Sequence, residues 1–223
     1  MLRLRFVLLC TFLAAAGASA SAASAQEVTQ YPTLEAEQTM ARFSQCIVRT
    51  ANSRELHRFL RIAPGGPAFQ IAGRRLARDL CAPRVPGGVT RLRFQLNLFR
   101  SALYSALYRR DFGAGVPPDL GSIPPLSFSA EFDVPAADIP AATRVLRGLG
   151  DCSARADARS VHALLVTEIG SSEEQRAIAA ALPAVQHCLP ENQELRFGRG
   201  MLRGILAEAL YKLRSAASAP AAS

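Results

Sequence analysis

Four cysteines with matched spacing are the residues best placed to do chemistry in this 223-residue chain. Cys46 and Cys81 are separated by almost the same number of residues as Cys152 and Cys188, and Cys10 lies near the N-terminus. An even set of cysteines at long spacings is typical of a disulfide framework in an exported protein. Structural zinc sites favour closely spaced CxxC pairs, and this chain has none, so we predict disulfides and no metal.

The histidines give a weaker indication of chemistry. His57 and His162 occupy matching positions in an internal repeat, and they could act as acid–base groups or as ligands. No HExxH spacing surrounds them, and the chain has no GxSxG or SxxK motif for a nucleophilic serine. We favour a structural role for both histidines, with each hydrogen-bonded inside its own unit. The sequence therefore predicts no catalytic residue and no cofactor.

An internal sequence repeat indicates which structural units position these residues. Residues 92–108 (LRFQLNLFRSALYSALY) align without a gap with residues 195–211 (LRFGRGMLRGILAEALY), and eight of 17 positions are identical. Matches continue upstream through the cysteines, the two histidines, Leu60 with Leu165 and Gly65 with Gly170. Self-similarity of this kind is the signature of a duplicated structural unit. The repeat favours one disulfide within each unit, Cys46–Cys81 and Cys152–Cys188.

The repeated arginines are the candidate anion-binding residues. Two pairs recur seven positions apart on one helix face, with a tyrosine pair on roughly the same side: Arg93/Arg196, Arg100/Arg203 and Tyr108/Tyr211. One interpretation is an anion-binding groove. The interpretation that we favour is that each arginine braces a carbonyl or an acid of its own unit while its aliphatic stem covers the core.

The predicted fold is all-α, with two tandem disulfide-stapled helical repeats joined by a Pro-rich extended connector. Between Leu126 and Val134 apolar and polar residues alternate like a strand, so we expect Phe128 and Phe132 to pack on the helices. Gly200 and Gly204 predict a close helix crossing. The predicted boundaries are a polar entry segment at 26–37, unit one at 38–110, the connector at 111–140, unit two at 141–213 and a disordered tail at 214–223.

Residues 1–25 have the pattern of a secretory signal peptide. Arg3 and Arg5 precede an apolar run that is too short to span a bilayer, and Ala23-Ser24-Ala25 offers a cleavage site after Ala25. An uncleaved N-terminal anchor is the alternative. No later segment is long and apolar enough to cross a membrane, so we expect the mature chain to be periplasmic or secreted.

The net charge of +8 favours anionic partners, such as acidic proteins or components of a bacterial envelope. No basic run with interleaved aromatic residues suggests stacking on bases, so we do not expect nucleic acid to be a partner.

The unit Cys…Cys…LRF…RGxLAEALY behind a signal peptide resembles a group of secreted alphaproteobacterial helical proteins to which no activity is assigned. The resemblance is fullest over 203–211 together with Cys152 and Cys188. Unit one departs from it at Ser101 and Ser105, where the pattern has glycine and glutamate. The resemblance implies an exported helical protein and no particular activity.

These observations predict an exported, non-catalytic interaction module of the periplasm or envelope, with a protein partner that the sequence does not identify. The alternative is a binder of anionic envelope components through the four repeated arginines. A third hypothesis is an enzyme that uses His57 and His162.

Overall fold

The computed structural model describes residues 32–77, 81–82, 84–85, 88–89, 94–127, 131–189 and 198–218. Apart from one short strand pair, the regular secondary structure of these residues is helical, which confirms the predicted all-α class. The first half contains α1 (Leu34–Thr50), α2 (Ser53–Arg61), α3 (Pro67–Leu76) and α4 (Leu96–Phe112). The second half contains α5 (Ala141–Ala156), α6 (Ala158–Val166), α7 (Ser172–His187) and α8 (Arg199–Ser218). A short antiparallel pair, β1 (Arg84–Val85) and β2 (Gly88–Val89), lies between α3 and α4, and a 3-10 turn, Ala136–Asp138, precedes α5.

Polar side chains fix the starts of several helices by accepting hydrogen bonds from free backbone N–H groups. Thr33 caps α1 and Ser171 caps α7, and acidic residues follow each cap in the first turn. Asn52 caps α2, where its side chain accepts from the backbone N–H groups of Arg54 and Glu55. Asp157 caps α6 in the same way. Each such cap contributes about 1 kcal/mol to helix stability.

One apolar core is shared by both halves. The described residues form one compact unit in which α4 packs along α8, α1 covers α4, and α5 covers α8. Leu103 and Leu107 of α4 meet Leu206 and Leu210 of α8 in this core, and all four side chains are completely buried. Burying a leucine side chain stabilises a fold by about 1.5–3 kcal/mol, so this seam is a principal source of stability.

The predicted close helix crossing is confirmed at Gly204. A Cβ atom on Gly204 would lie 2.1 Å from the Cβ of Ser101 and 3.0 Å from its Cα, so only glycine allows α8 to approach α4 this closely. Gly200 has a different role from Gly204, because it lies against the side chain of Glu37 on α1. Its backbone N–H donates to Oε1 of Glu37 at 3.2 Å.

Both predicted disulfides are present. Cys46–Cys81 joins α1 to the turn after α3, and Cys152–Cys188 joins α5 to the residue that ends α7. Their Cα–Cα distances, 5.7 and 5.8 Å, are ordinary for disulfides. On the chain-entropy model each bond adds about 3–4 kcal/mol by restricting the unfolded chain.

The connector departs from the predicted strand-like path. Residues 132–134 form bends, because the backbone N–H of Asp133 donates to the carbonyl of Arg61 and its carboxylate binds the Arg61 guanidinium at 2.6 Å. Phe132 is buried as expected, whereas Phe128 lies outside the described residues.

The predicted disordered tail also differs in part, since α8 continues through Ser218. Arg214 holds this part of the helix by donating to the carbonyls of Phe112 and Gly115. Residues 219–223 and the predicted signal peptide lie outside the described residues.

We predict that Gly204→Ala lowers the free energy of unfolding by about 1–3 kcal/mol, because its new methyl group overpacks the crossing with Ser101. Gly148→Ala is the matched control. Gly148 lies on the exposed side of α5 with no atom within 4 Å of an added Cβ, so this change should stabilise by about 0.5–1 kcal/mol. Urea unfolding of the oxidised proteins measures both values. Equal effects of the two substitutions would show that the crossing is not tight.

Candidate functional site

The polar centre of the molecule is the carboxylate of Glu208, on the buried face of α8. Arg100 of α4 donates to both of its oxygens, from Nη1 at 2.5 Å and from Nη2 at 2.8 Å. Arg147 of α5 donates to Oε1 from Nη1, and Lys212, one turn along α8, donates to the same oxygen at 2.8 Å. One carboxylate therefore binds cations from three helices and from both halves of the chain.

A second carboxylate, Glu131, adds to this arrangement from the connector. It accepts from Lys212 Nζ at 2.7 Å and forms an ion pair with Arg147. We call the five groups the charge network: Arg100, Glu131, Arg147, Glu208 and Lys212. With its side chains in their ordinary charge states, the network carries one more positive than negative charge.

Two aromatic rings enclose the cations of the charge network. The guanidinium carbon of Arg147 lies 4.6 Å from the ring centroid of Phe132, and that of Arg100 lies 4.9 Å from the ring centroid of Tyr104. Such contacts stabilise a cation by about 0.5–2 kcal/mol when water is excluded. Sheltered in this way, the side chains of Arg100 and Arg147 are only 6 % and 8 % exposed.

Burial and neighbouring charges shift the protonation equilibria in opposite ways. Burial alone would raise the pKa of Glu208, but Arg100, Lys212 and Arg147 together hold it well below its ordinary value. The pKa of Lys212 is lowered to about 7, mainly by burial and also by the charges of Arg147 and Arg100, while Glu208 opposes the change. Burial also raises the pKa of the Tyr104 phenol above its ordinary value. The lysine is therefore the member of the network that can change charge near neutral pH.

A half-open cavity of about 90 Å³ lies beside the charge network, between α4, α5 and α8. Arg100, Arg147 and Glu208 form its charged wall. The Nε of Arg100 is buried and has no hydrogen-bond acceptor among the described residues. Leaving a buried donor unpaired costs about 1–3 kcal/mol.

The structure places Arg100 and Arg203, the two predicted anion-binding arginines that it describes, in equivalent internal positions. Nη2 of Arg100 donates to the carbonyl of Leu60 at 3.0 Å, and Nη2 of Arg203 donates to the carbonyl of Leu165 at 2.9 Å. Both guanidinium groups thus brace a helix end of their own half, as in the interpretation favoured from the sequence, but the acid that Arg100 binds, Glu208, belongs to the other half. Arg93 and Arg196 lie outside the described residues.

A second buried acid receives Arg203 in the other half. Glu174 is fully buried, and its Oε1 accepts from Arg203 Nη1 at 3.0 Å while its Oε2 accepts from the backbone N–H of Gly170 at 2.6 Å. Burial lowers the pKa of Arg203, and the charge of Glu174 opposes that shift. The pair therefore anchors the loop between α6 and α7 to α8.

The matched histidines have different environments, and the prediction that each is hydrogen-bonded inside its own unit is wrong for His162. Nδ1 of His162 lies 2.7 Å from the Tyr108 hydroxyl, which also accepts from Arg214, and burial with the charge of Arg214 lowers the pKa of His162. Nδ1 of His57 lies 2.7 Å from the carbonyl of Ser53 on the exposed side of α2.

The matched tyrosines differ as well. Tyr108 contacts the histidine of the other half, whereas Tyr211 donates to Asp111 at 3.2 Å. The structure therefore brings together one predicted pair, Tyr108 with His162, and gives Tyr211 and His57 separate partners.

Sequence patterns did not predict the central residues of the charge network. Glu208 stands inside the repeated segment, but its counterpart is Ser105, so the duplication did not mark it. Lys212 is the only lysine of the chain, which is the one signal that could have drawn attention to it. Arg147 and Glu131 have no distinguishing motif, and only the folding of α5 and the connector onto α8 brings them to Glu208.

Comparison with known proteins does not assign an activity to this site. No protein-family model matches the chain, and neither a curated protein nor a solved structure matches it. In the part of the chain that the structure describes, no helix is long and apolar enough to span a membrane. Nor do three or more His, Cys, Asp or Glu side chains of that part come together as a possible metal site.

We predict that Glu208→Gln lowers the free energy of unfolding by about 3–5 kcal/mol, because it leaves buried cations without their counter-charge. Glu173→Gln is the matched control. It breaks only an exposed ion pair with Arg176, and we expect a much smaller loss than for Glu208→Gln. Urea unfolding at pH 7 compares the two variants. A loss below 1 kcal/mol for Glu208→Gln would show that the network contributes little.

We predict that Lys212 makes stability increase with pH above neutrality. Between about pH 7 and 10.5 the unfolded chain keeps a proton on Lys212 that the folded chain has released. The free energy of unfolding should therefore rise across this window, by at most about 1.4 kcal/mol per pH unit. Lys212→Met cannot titrate and should lack this rise in urea unfolding at pH 6, 7.5 and 9. Parallel pH profiles for the two proteins would contradict the assignment.

Proposed function

We propose that this protein is an exported, non-catalytic interaction module built from two copies of one disulfide-stapled helical unit joined by a Pro-rich connector. The observation that carries the proposal is that matching positions in the two halves make matching internal contacts. The feature common to both copies is thus a scaffold, whereas the groups suited to chemistry differ between them. A duplicated scaffold of this kind is suited to presenting surfaces to a partner.

Contacts at matching positions support the duplication. Gly65 and Gly170 both have positive φ angles, +104° and +88°, in the loops that follow α2 and α6. These two helices have the same length of nine residues. Their last turns are braced alike, by Arg100 on Leu60 and by Arg203 on Leu165.

The crossing of α4 and α8 supports the duplication in a second way. Ser101 and Gly204 occupy matching positions in the two repeated segments, and they meet where the helices cross. Equivalent positions meet each other when two copies are related by a local two-fold axis. Two linked copies with such an axis would share one core, which agrees with the single compact unit described above.

The disulfides support export. Disulfides persist in oxidising compartments and are rare in reducing ones, so two of them are compatible with a periplasmic or extracellular location. Cleavage of the proposed signal peptide after Ala25 would also remove Cys10 and leave the four cysteines that are paired.

The basic surface of α2 supports an acidic protein partner. Arg54 and Arg58 lie one turn apart on this helix and are exposed, while Leu56, Phe59 and Leu60 on its other side are buried. On α3, Arg74 is also exposed. Exposed positive charge of this kind steers acidic partners and increases their rate of association.

The second candidate function is the binding of an anionic ligand. Arg100 and Arg203 are buried and paired inside the protein, so the repeated arginines by themselves offer little support for this candidate. Arg93 and Arg196 lie outside the described residues. The observation that favours this candidate is the cavity beside Arg100 and Arg147. The third candidate, an enzyme that uses His57 and His162, receives little support because the two histidines contact different partners.

Capture from an envelope extract by the mature, oxidised protein tests the proposed function. We expect a protein to be retained at low salt and still retained at raised salt. The double variant Arg54→Glu and Arg58→Glu leaves the core intact and should weaken capture, because it reverses the charge of the basic surface of α2. Capture of no protein, or only of an anionic lipid or polymer that raised salt releases, would contradict the interaction module.

A further inference from the structure

Two pairs of helices in this structure have the same architecture but different surfaces. We call α2 with α3 the first hairpin and α6 with α7 the second hairpin. A shift of 105 residues aligns the starts of α2 and α6, Gly65 with Gly170, and the starts of α3 and α7. Buried positions coincide at the same shift, and the matched pairs are Leu56/Val161, Phe59/Leu164, Leu60/Leu165, Phe69/Glu174 and Leu76/Ala181. The two hairpins can therefore be compared position by position.

The two hairpins differ in charge. Residues 53–76 of the first hairpin contain five arginines and one acid, Glu55, so their formal charge is +4. The matching residues 158–181 contain two arginines and three acids, so their formal charge is −1. A general excess of arginine in the chain would make both hairpins basic, and the fold itself forms without the basic residues in the second hairpin. The positive charge of the first hairpin therefore needs another explanation.

The charge difference lies at exposed positions. Arg58 on α2 matches Ala163 on α6, and Arg74 on α3 matches Ala179 on α7, and all four residues are exposed. Arg54, Arg58 and Arg74 form no hydrogen bond or ion pair with another described residue. Their guanidinium groups are therefore available to a partner, and bonds from arginine to a carboxylate are strong because they are charge-assisted.

The arginines of the two helices belong to one outer surface. The ring of Phe59 on α2 stacks on that of Phe69 on α3, with centroids 5.0 Å apart. An added Cβ on Gly73 of α3 would lie 3.1 Å from the Phe59 ring, so the helices are in direct contact. Both helices bury their apolar sides in the same core, so their exposed sides face outward next to each other. A single partner can therefore reach both helices.

An exposed apolar side chain lies on the same surface. Ile71 of α3 is 56 % exposed and precedes Arg74 by three residues, so the two side chains are neighbours on the helix. The matching residue of the second hairpin is Arg176. An apolar centre within a polar rim is typical of protein interfaces. A bilayer is disfavoured as the partner, because among the described residues of the first hairpin only Ile71 is a large exposed apolar group that could insert.

We propose that the basic hairpin surface, formed by Arg54, Arg58, Ile71 and Arg74, is the site at which an acidic protein segment docks, and that the second hairpin is not a copy of this site. Carboxylates of the segment bind the three arginines, and an apolar side chain between these carboxylates packs on Ile71. One molecule then binds one partner although its scaffold is duplicated. This inference rests on the proposed function and adds to it the location, the chemistry and the stoichiometry of the contact.

Nuclear magnetic resonance of the backbone amides tests the proposal on the mature, oxidised protein at low salt. The probes are decaglutamate and a decapeptide in which leucine replaces every third glutamate. We expect saturable shifts in α2 and α3 and none in α6 and α7, with the leucine peptide binding about threefold more tightly or better. Shifts of equal size in both hairpins, or tighter binding of phosphatidylglycerol vesicles than of either peptide, would overturn the proposal.

A pair of double variants tests whether the arginines of the first hairpin form the site. Arg58→Ala with Arg74→Ala installs the residues of the second hairpin and should lower the affinity for the leucine peptide by roughly threefold to tenfold. Arg159→Ala with Arg176→Ala is the matched control, because it removes the same charge from exposed positions of the second hairpin. The control should bind as the unsubstituted protein does. Equal losses would show attraction to net charge alone and would overturn the proposal.

A second pair of variants tests the apolar contact. Ile71→Ser should abolish the preference for the leucine peptide over decaglutamate. Leu182→Ser is the matched control, since Leu182 is an exposed apolar residue of the second hairpin, and it should retain the preference. A preference that persists in Ile71→Ser would overturn the packing of the partner on Ile71.

The arginine variants also separate this inference from the proposed function. In capture from an envelope extract, the Arg58→Ala and Arg74→Ala variant should retain less of the partner than the Arg159→Ala and Arg176→Ala control. Equal capture by the two variants would leave the interaction module standing and overturn only the site. Capture of no protein, with peptide binding retained at α2 and α3, would contradict only the interaction module.

Discussion

The structure depends most on the buried ion pairs of one carboxylate, that of Glu208. It binds Arg100 from the first half of the chain and Arg147 and Lys212 from the second half, so three separate cations depend on its position. Removing charges from water is costly, and the attraction between them offsets this cost only where every member has a partner. The network is therefore a strong constraint on how α4, α5 and α8 are arranged, because helices shifted against each other would leave buried charges unpaired.

The close crossing at Gly204 and the charge network act on the same two helices. Gly204 lies one turn before Glu208 on α8, and Ser101 is adjacent to Arg100 on α4, so the approach that Gly204 allows also brings Arg100 to Glu208. Apolar packing of the leucines supplies stability along this seam, while the ion pairs fix its geometry.

How much the sequence predicts depends on whether a feature is local or tertiary. The helix caps at Thr33 and Ser171 and the crossing at Gly204 were predictable, because each depends on residue types at short spacing. The disulfides followed from the repeat. The charge network was not predictable, since Arg100, Arg147 and Glu208 are distant in sequence and meet only after the helices pack. Phe132 is buried without a strand because Arg61 and Asp133 bend the connector.

The central claim is that Glu208 makes the two halves one cooperative unit. Native-state hydrogen exchange of the oxidised protein, measured for amides of α4 and α8 with and without the Glu208→Gln substitution, tests this claim most directly. We predict that the most protected amides of both helices open with the same free energy in the unsubstituted protein, and that in the variant both values fall and become unequal, because the halves then open separately. Unequal values in the unsubstituted protein, or values that stay equal in the variant, would contradict the claim.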